Sequence, residues 1–383
     1  MFENLEKEID ALLEYHQIPA CSIAVVTAKD DGVVWKKAFG EDCSVDSKFH
    51  LFSGTKLYTA AAIFKLVQDG KIALHDPVTQ HLPDEFERRE NLQGITVEQC
   101  LGHTTGLKDT PMVAWMSVNC RRDGTPPTLL DCLRRFDFKR VSPAGMEPAS
   151  YGNINFVILG NIIQHVTQQS YQQFVQEKIL EPLGSKACFS FRTVSDDDDD
   201  KLMAGTIGFW NKLVSRFLLR SEQYHALFRD TKCLPAGTRG AGLYTMADFD
   251  LDAIPIGGLI GTAHDFLPLM QQVLRHCGAG STTGEQKPAV GLAADSWKNM
   301  VSKHYDGRIG VYSRDGVGYA FKIGTDFVNH EGGGPGFTTE SRCYLEDGIA
   351  MVVMTNKWSI TMSECTVCHK ICELIRKAFK ARE

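Results

Sequence analysis

Phe52-Ser53-Gly54-Thr55-Lys56 leads into Ala60-Ala61-Ala62-Ile63-Phe64-Lys65-Leu66-Val67, an apolar run that reads as a helix with Gly70 as its stop. Ser53 and Lys56 stand three residues apart, which on a helix brings hydroxyl and amine onto one face within hydrogen-bond reach. A serine hydroxyl attacks poorly until a neighbour removes its proton, and a lysine does so only when burial or nearby positive charge lowers its pKa. The helix start supplies backbone N–H groups and the positive end of the dipole, both of which favour negative charge developing on the Ser53 oxygen. A serine in this place also reads as a plain helix N-cap. The choice between the two turns on what the rest of the chain brings to it.

Upstream, Leu5, Ile9, Leu12 and Leu13 recur at helical spacing over residues 3–16, and Pro19 closes that segment. Two strands follow, Cys21 to Thr27 and Val33 to Phe39, joined by the turn signal Lys29-Asp30-Asp31-Gly32. From about residue 76 to 250 strand signals lapse, and the chain reads as helices and loops broken at Asp76-Pro77, Pro126-Pro127 and Pro143-Ala144-Gly145. Within it Phe156 to Ile163 is apolar enough for a buried helix, and Asp196 to Asp200 reads as a solvated loop, since consecutive carboxylates cannot all face one ion. Residues 207–228 mix large apolar groups with Arg and Lys: an ordinary core helix, or a lid or interfacial helix over an apolar cleft. Strand character returns at Tyr319 to Ile323, Ser341 to Leu345 and Ile349 to Met354. The two chain ends therefore read as one sheet covered by N- and C-terminal helices. This gives an α/β domain from residues 1–62 and 255–383, with a helical domain inserted at 63–254.

Hydrophobic residues at 43%, charged residues at 23% and a net charge of −6 describe an ordinary globular chain and argue against a nucleic-acid surface. The N-terminal segment is acidic and amphipathic, without a basic leader, and no run approaches membrane-spanning length, so a cytoplasmic protein without membrane contact is expected. The twelve cysteines are scattered, and reduced thiols are expected. Cys365-Thr366-Val367-Cys368-His369 matches a haem-attachment pattern and, with Cys372, offers four ligands. All four come from one helix, so the reading preferred is a C-terminal helix packing small apolar cysteines inward, with no metal and no cofactor.

Tyr151-Gly152-Asn153 is the one Tyr-x-Asn in the chain and Ser53-Gly54-Thr55-Lys56 the one Ser-x-x-Lys, and His330-Glu331-Gly332-Gly333-Gly334-Pro335-Gly336-Phe337 follows them late in the sequence. In this order they resemble the three motifs of the serine beta-lactamase and penicillin-binding-protein superfamily, in the class C beta-lactamase-like branch that includes carboxylesterases, D-amino-acid peptidases and acyltransferases. Leu101-Gly102-His103-Thr104-Thr105-Gly106-Leu107, the stretch from Asn161 to Gly184, and Pro255 to Asp265 are similar to further family segments, so the resemblance covers nearly the whole chain. It implies an α/β plus all-α fold, an antiparallel sheet flanked by the terminal helices with an inserted helical domain.

The resemblance also implies site roles. Ser53 would be the nucleophile, and Lys56 with Tyr151 would relay its proton. Either the phenol pKa is depressed by cations and Tyr151 is the base, or the amine stays neutral and Lys56 is. The backbone N–H groups of Ser53 and Gly333 would form the oxyanion hole, and Asn153, His330 and Gly332 would meet the substrate. His103 is read as bracing a loop. Lys-Thr-Gly is absent, and a histidine, mostly neutral at pH 7, replaces the cation that would complement a lactam or peptide carboxylate. The function expected is therefore a serine hydrolase of small-molecule esters or amides. The alternatives are a beta-lactamase or D,D-peptidase acting on lactam or peptide, an acyltransferase, and an inert scaffold.

Overall fold

The computed structural model describes the chain except residues 1, 30–31, 111–114, 118–126, 190–201, 209–226, 228–231, 247–248, 280–289, 308, 310–314, 360–362 and 382–383. The expected acidic loop at Asp196 to Asp200 and nearly all of the 207–228 segment lie outside the described residues. Both early strands form where the periodicity put them, β1 at Cys21–Thr27 and β2 at Val33–Phe39. The late strands are β3 (Gly316–Val317), β4 (Lys322–Ile323), β5 (Val328–Gly334), β6 (Phe337–Tyr344) and β7 (Ile349–Thr355). Across the sheet they run β2-β1-β7-β6-β5-β4-β3, every neighbouring pair antiparallel. β1 lies against β7 with Cys21 opposite Thr355 and Thr27 opposite Ile349, so the two ends of the chain close one sheet.

Alternation along the central strands sets the layers. Ile23, Val25, Met351 and Val353 face α1 (Phe2–Tyr15) and α5 (Ser363–Lys380), which present Leu5, Ile9 and Leu13 and Val367, Ile371 and Ile375. Cys368 and Cys372 are buried in the same layer as small apolar groups, and every cysteine among the described residues is free. The opposite face, with Ala24, Val26, Ala350, Val352 and Met354, meets a core that includes residues of α2 (Thr55–Gln68), α3 (Asn153–Thr167) and α4 (Ala263–Cys277). A reciprocal cap starts α4: Thr262 Oγ1 accepts from Asp265 N at 3.1 Å while Asp265 Oδ2 accepts from Thr262 N at 2.9 Å. α2 runs unbroken past residue 62, where the boundary between the two expected domains was placed. Among the described residues no helix is long and apolar enough to cross a membrane.

Two expectations are corrected. Residues 76–250 do carry strand: Met116–Ser117 pairs with Asp250–Leu251, and Thr206–Ile207 lies between Lys357–Trp358 and Tyr244–Thr245. Pieces of two residues are too short to leave a period. The strand expected from Tyr319 narrows to Lys322–Ile323 because Ala320 takes a left-handed φ of 64°, which ends an extended run.

β6 is buried along its whole length although Thr338 to Arg342 are all polar. Its two charged side chains are paired: Arg342 Nε donates to Glu340 Oε1 at 2.7 Å, Asn329 Nδ2 donates to the same oxygen at 3.0 Å, and Arg342 Nη1 donates to Tyr344 Oη at 3.0 Å. Burial pushes the Glu340 carboxyl up, and Arg342 opposes that. Glu340→Ala takes away the fully buried carboxylate of the guanidinium and leaves it only the half-exposed Glu373 at 3.4 Å, and urea unfolding is expected to show a loss of about 3–5 kcal/mol. Glu340→Met with Arg342→Met is expected to recover most of that loss, because two apolar groups leave no buried charge behind.

Candidate active site

Phe52–Gly54 form a single tight turn that feeds into α2, and no side chain caps the helix. The N-cap reading of Ser53 is therefore set aside. Its Oγ instead accepts from Lys56 Nζ at 3.1 Å and from Tyr151 Oη at 2.9 Å. Phe52 stands at φ 49°, a left-handed conformation that costs a bulky residue about 1–3 kcal/mol and needs support from its surroundings. That support comes from three hydrogen bonds: Leu51 N to Leu259 O at 2.8 Å, Thr339 Oγ1 to Leu51 O at 3.0 Å, and Leu259 N to Thr55 Oγ1 at 3.2 Å.

β5 passes so close to this turn that a Cβ at Gly332 would sit 2.1 Å from Leu51 O and one at Gly334 would sit 2.2 Å from the Phe52 ring. Only glycine fits at either position. Gly333, between them, is the one residue of β5 that is not buried. β4 pairs with β5 only at Val328 and Asn329, so among the described residues no strand covers the outer edge of 330–334.

Lys56 is fully buried. Besides Ser53, its Nζ donates to Asn153 Oδ1 at 2.9 Å and to Ile256 O at 2.9 Å. Burial pushes the amine pKa well below that of an ordinary lysine; Asp109 opposes the shift and Lys322 adds to it. Tyr151 moves the other way, its phenol held well above the usual value by burial. The direction is opposite to a depressed phenol: burial outweighs the hydrogen bond to Ser53, and Asp109 and Glu331 add to the rise.

His103 holds the Tyr151 segment at two points. Its carbonyl accepts from Ser150 N at 2.9 Å, its Nδ1 accepts from Gly152 N at 3.2 Å, and its ring stacks on Tyr151 at 4.6 Å between centroids. The histidine is the expected brace, kept neutral by burial with Lys56 and Lys322 adding to the shift.

Sequence reasoning missed Asp109. Its Oδ2 accepts from Asn153 Nδ2 at 3.0 Å and its Oδ1 from Ile154 N at 3.1 Å, so it satisfies the start of α3 and turns the Asn153 amide oxygen toward Lys56. A carboxylate two residues past the Gly106-Leu107 loop was the available signal. Sequence reasoning missed Lys322 as well. That lysine is buried and ion-paired with Glu331. A lysine inside the apolar run Tyr319-Ala320-Phe321-Lys322-Ile323 called for such a partner.

The structure thus joins Ser53, Lys56, Tyr151 and Asn153 by direct hydrogen bonds, and Gly332 and Gly334 set β5 against the Ser53 turn. His330, expected to meet substrate, is fully buried. Its Nδ1 donates to Glu331 O at 2.7 Å, its Nε2 has no partner, and its ring lies 6.2 Å from that of Tyr151. Burial pushes its pKa well down, with Lys322 and Lys56 adding to the shift. Among the described residues no group of three or more His, Cys, Asp and Glu side chains is arranged to hold a metal. A cleft of about 880 Å³ lies elsewhere, lined by Glu14, Pro19, Glu41, Asp42, Arg239 and Asn356 among others and by none of the Ser53 cluster.

A beta-lactamase family model matches residues 5–366. Protein flp of Staphylococcus aureus (strain MW2) is 33% identical over 196 residues, 47% of this chain and 37% of that protein. The unguisins hydrolase ungD' of Aspergillus campestris (strain IBT 28561) is 27% identical over 199 residues, 49% of this chain and 36% of that one. The chain spans little more than a third of the length of these curated relatives. Of the solved structures, the D-amino acid amidase from Ochrobactrum anthropi SV3 complexed with L-phenylalanine matches with a TM-score of 0.72 at 17% identity over 98% of each chain. The octameric penicillin-binding protein homologue from Pyrococcus abyssi matches with a TM-score of 0.71 at 22% identity over 93% of this chain and 73% of the other. Both carry the fold expected from the sequence.

Since Asp109 is the charge that raises the Lys56 pKa, Asp109→Asn is expected to lower it further while keeping an acceptor for the Asn153 amide. NMR of protein labelled at the lysine Cε, with Lys56→Met for assignment, should show one lysine titrating below the surface lysines and moving further down in Asp109→Asn. A Lys56 signal that titrates with the surface lysines would overturn this reading.

Proposed function

We propose, from the premise that the chain belongs to the beta-lactamase family, that it is a serine hydrolase forming an acyl-enzyme at Ser53 and acting on carboxylic esters or small amides. The observation that carries this is the convergence of Lys56 Nζ and Tyr151 Oη on Ser53 Oγ, at 3.1 and 2.9 Å.

The partners around Lys56 suit a neutral amine. With the amine neutral, two N–H groups keep Asn153 Oδ1 and Ile256 O, and the 3.1 Å contact to Ser53 reverses, the lone pair on Nζ taking the hydroxyl proton. Lys56 is then the base and Tyr151, held protonated, the donor. As Ser53 attacks, its proton passes to Lys56, the Tyr151 phenol protonates the departing group, and the proton on Lys56 restores the phenol. The oxyanion sits between the backbone N–H groups of Ser53 and Gly333, where each donor stabilises the transition state by about 3 kcal/mol. Water then attacks the acyl-enzyme, with Lys56 again taking the proton; a small alcohol or amine in its place gives acyl transfer.

Two features support ester or small-amide substrates over lactams. His330 is held neutral by burial, and the nearby Lys322 is already paired with Glu331. A substrate carboxylate therefore meets no unpaired cation from these groups. Two similar proteins are named as a hydrolase and an amidase, which is consistent with acyl chemistry.

p-Nitrophenyl esters are expected to give a burst, with the acyl mass on the peptide bearing Ser53, and Ser53→Ala to lose turnover by several orders of magnitude. Undiminished hydrolysis by Ser53→Ala, or nitrocefin turnover far above ester turnover, would overturn the proposal. Because the active form carries the free Lys56 amine, kcat/KM is expected to rise with pH through the depressed Lys56 pKa, on the acid side of the ordinary lysine value.

A further inference from the structure

Lys322 reaches the Ser53 cluster from β4, a strand outside the three motifs. Its side chain is 7% exposed and its Nζ is ion-paired with Glu331. The same nitrogen lies 5.4 Å from the centre of the Tyr151 ring, and Lys56 Nζ lies 5.0 Å from that centre. Two amines therefore sit against one phenol, and only Lys56 is bonded to the nucleophile. Lys322 and Glu331 are buried together as an ion pair, so neither charge stands alone there.

We propose that Lys322 is a positioning residue for the Ser53 chemistry: clamped by Glu331 against the Tyr151 ring that Lys56 also faces, its positive charge adds to burial in favouring the free amine of Lys56. It supplies from β4 the cation that the third motif lacks at His330. The inference rests on the reading of Lys56 as the base.

The groups around Lys56 support this assignment. Ser53, Asn153 and the Ile256 carbonyl touch the amine directly, with Asp109 behind Asn153. Tyr151 presents its ring, His103 stacks behind Tyr151, and His330 and Glu331 come from β5. Both histidines are held neutral by burial. The charges that shift Lys56 are Asp109, which favours the ammonium, and Lys322, which disfavours it; Glu331 acts on Tyr151.

The test replaces the pair by neutral groups, so that no buried carboxylate is orphaned. Lys322→Met/Glu331→Gln and Lys322→Gln/Glu331→Gln are both suitable, and one that folds by circular dichroism suffices. The measurements are the pH dependence of kcat/KM on a p-nitrophenyl ester and the pH dependence of Ser53 labelling by a fluorophosphonate probe. Without the cation Lys56 holds its proton more firmly, so the acid limb of both profiles is expected to move up by about one pH unit. Lys322→Arg should restore the parent limb. A limb that stays in place while the rate falls at every pH would assign Lys322 a purely structural role and overturn the proposal. A parent enzyme without an acid limb, with Lys56→Ala still active, would instead remove Lys56 as the base, and this inference with it.

Discussion

The rest of the site depends on the burial of one amine. Lys56 lies in a helix that is buried nearly all round, with Leu57, Tyr58, Ala60, Ala61, Ala62 and Ile63 enclosed together with it. In such surroundings a lone ammonium is disfavoured, and Nζ is held by three acceptors, Ser53 Oγ, Asn153 Oδ1 and Ile256 O, two of which stay bonded when the amine gives up a proton. The alanine run is therefore more than helix propensity. Small side chains let α2 pack closely on α3 and on the Ile254–Ile256 turn, and that depth buries the lysine.

The second constraint is steric. The Ser53 turn holds Phe52 in a left-handed conformation, and β5 crosses it at a separation that admits no side chain at Gly332 or Gly334. What reads in the sequence as a glycine-rich motif is first a packing requirement: the strand can approach the nucleophile only if it carries no Cβ at those two places. Thr339 on the neighbouring strand then bonds the Leu51 carbonyl, so the turn and the sheet are tied together at 3.0 Å. Strain and close approach hold the serine oxygen where both Lys56 and Tyr151 reach it.

How much was legible in the sequence follows from which interactions are local. The hairpin at Cys21–Thr27 and Val33–Phe39 announced itself by alternation and a turn signal, and α2 and the terminal helices by their periods. β6 did so only in part: Glu340 and Arg342 are buried polar residues paired with each other and with Asn329 and Tyr344, and a hydropathy pattern cannot tell paired buried groups from solvated ones. Ala320 broke an otherwise plausible strand through a single backbone angle. Ser53, Lys56 and Tyr151 were recognisable from motif order, whereas Asp109 and Lys322 act through partners, Asn153 and Glu331, that only the folded chain brings within reach. The direction of each pKa shift was equally out of reach, since it follows from burial of both groups rather than from their proximity.

The chain's order adds a last consequence. Ser53 and Lys56 come from the segment after the first hairpin, His103 and Asp109 from the loop beyond α2, and Tyr151 and Asn153 from the start of α3. Ile256 precedes α4, and Gly333 lies on a strand reached only after residue 327. A lysine amine on a partly formed α2 lacks Asn153, Ile256 and the layer that excludes water, and there it is an ordinary charged lysine. The reactive form is thus a property of the completed fold. Closing β1 against β7 shuts the sheet, and packing α3 on α2 buries the amine, so the proposed pairing of Ser53 as nucleophile with Lys56 as base draws on contacts that the helix start alone does not contain.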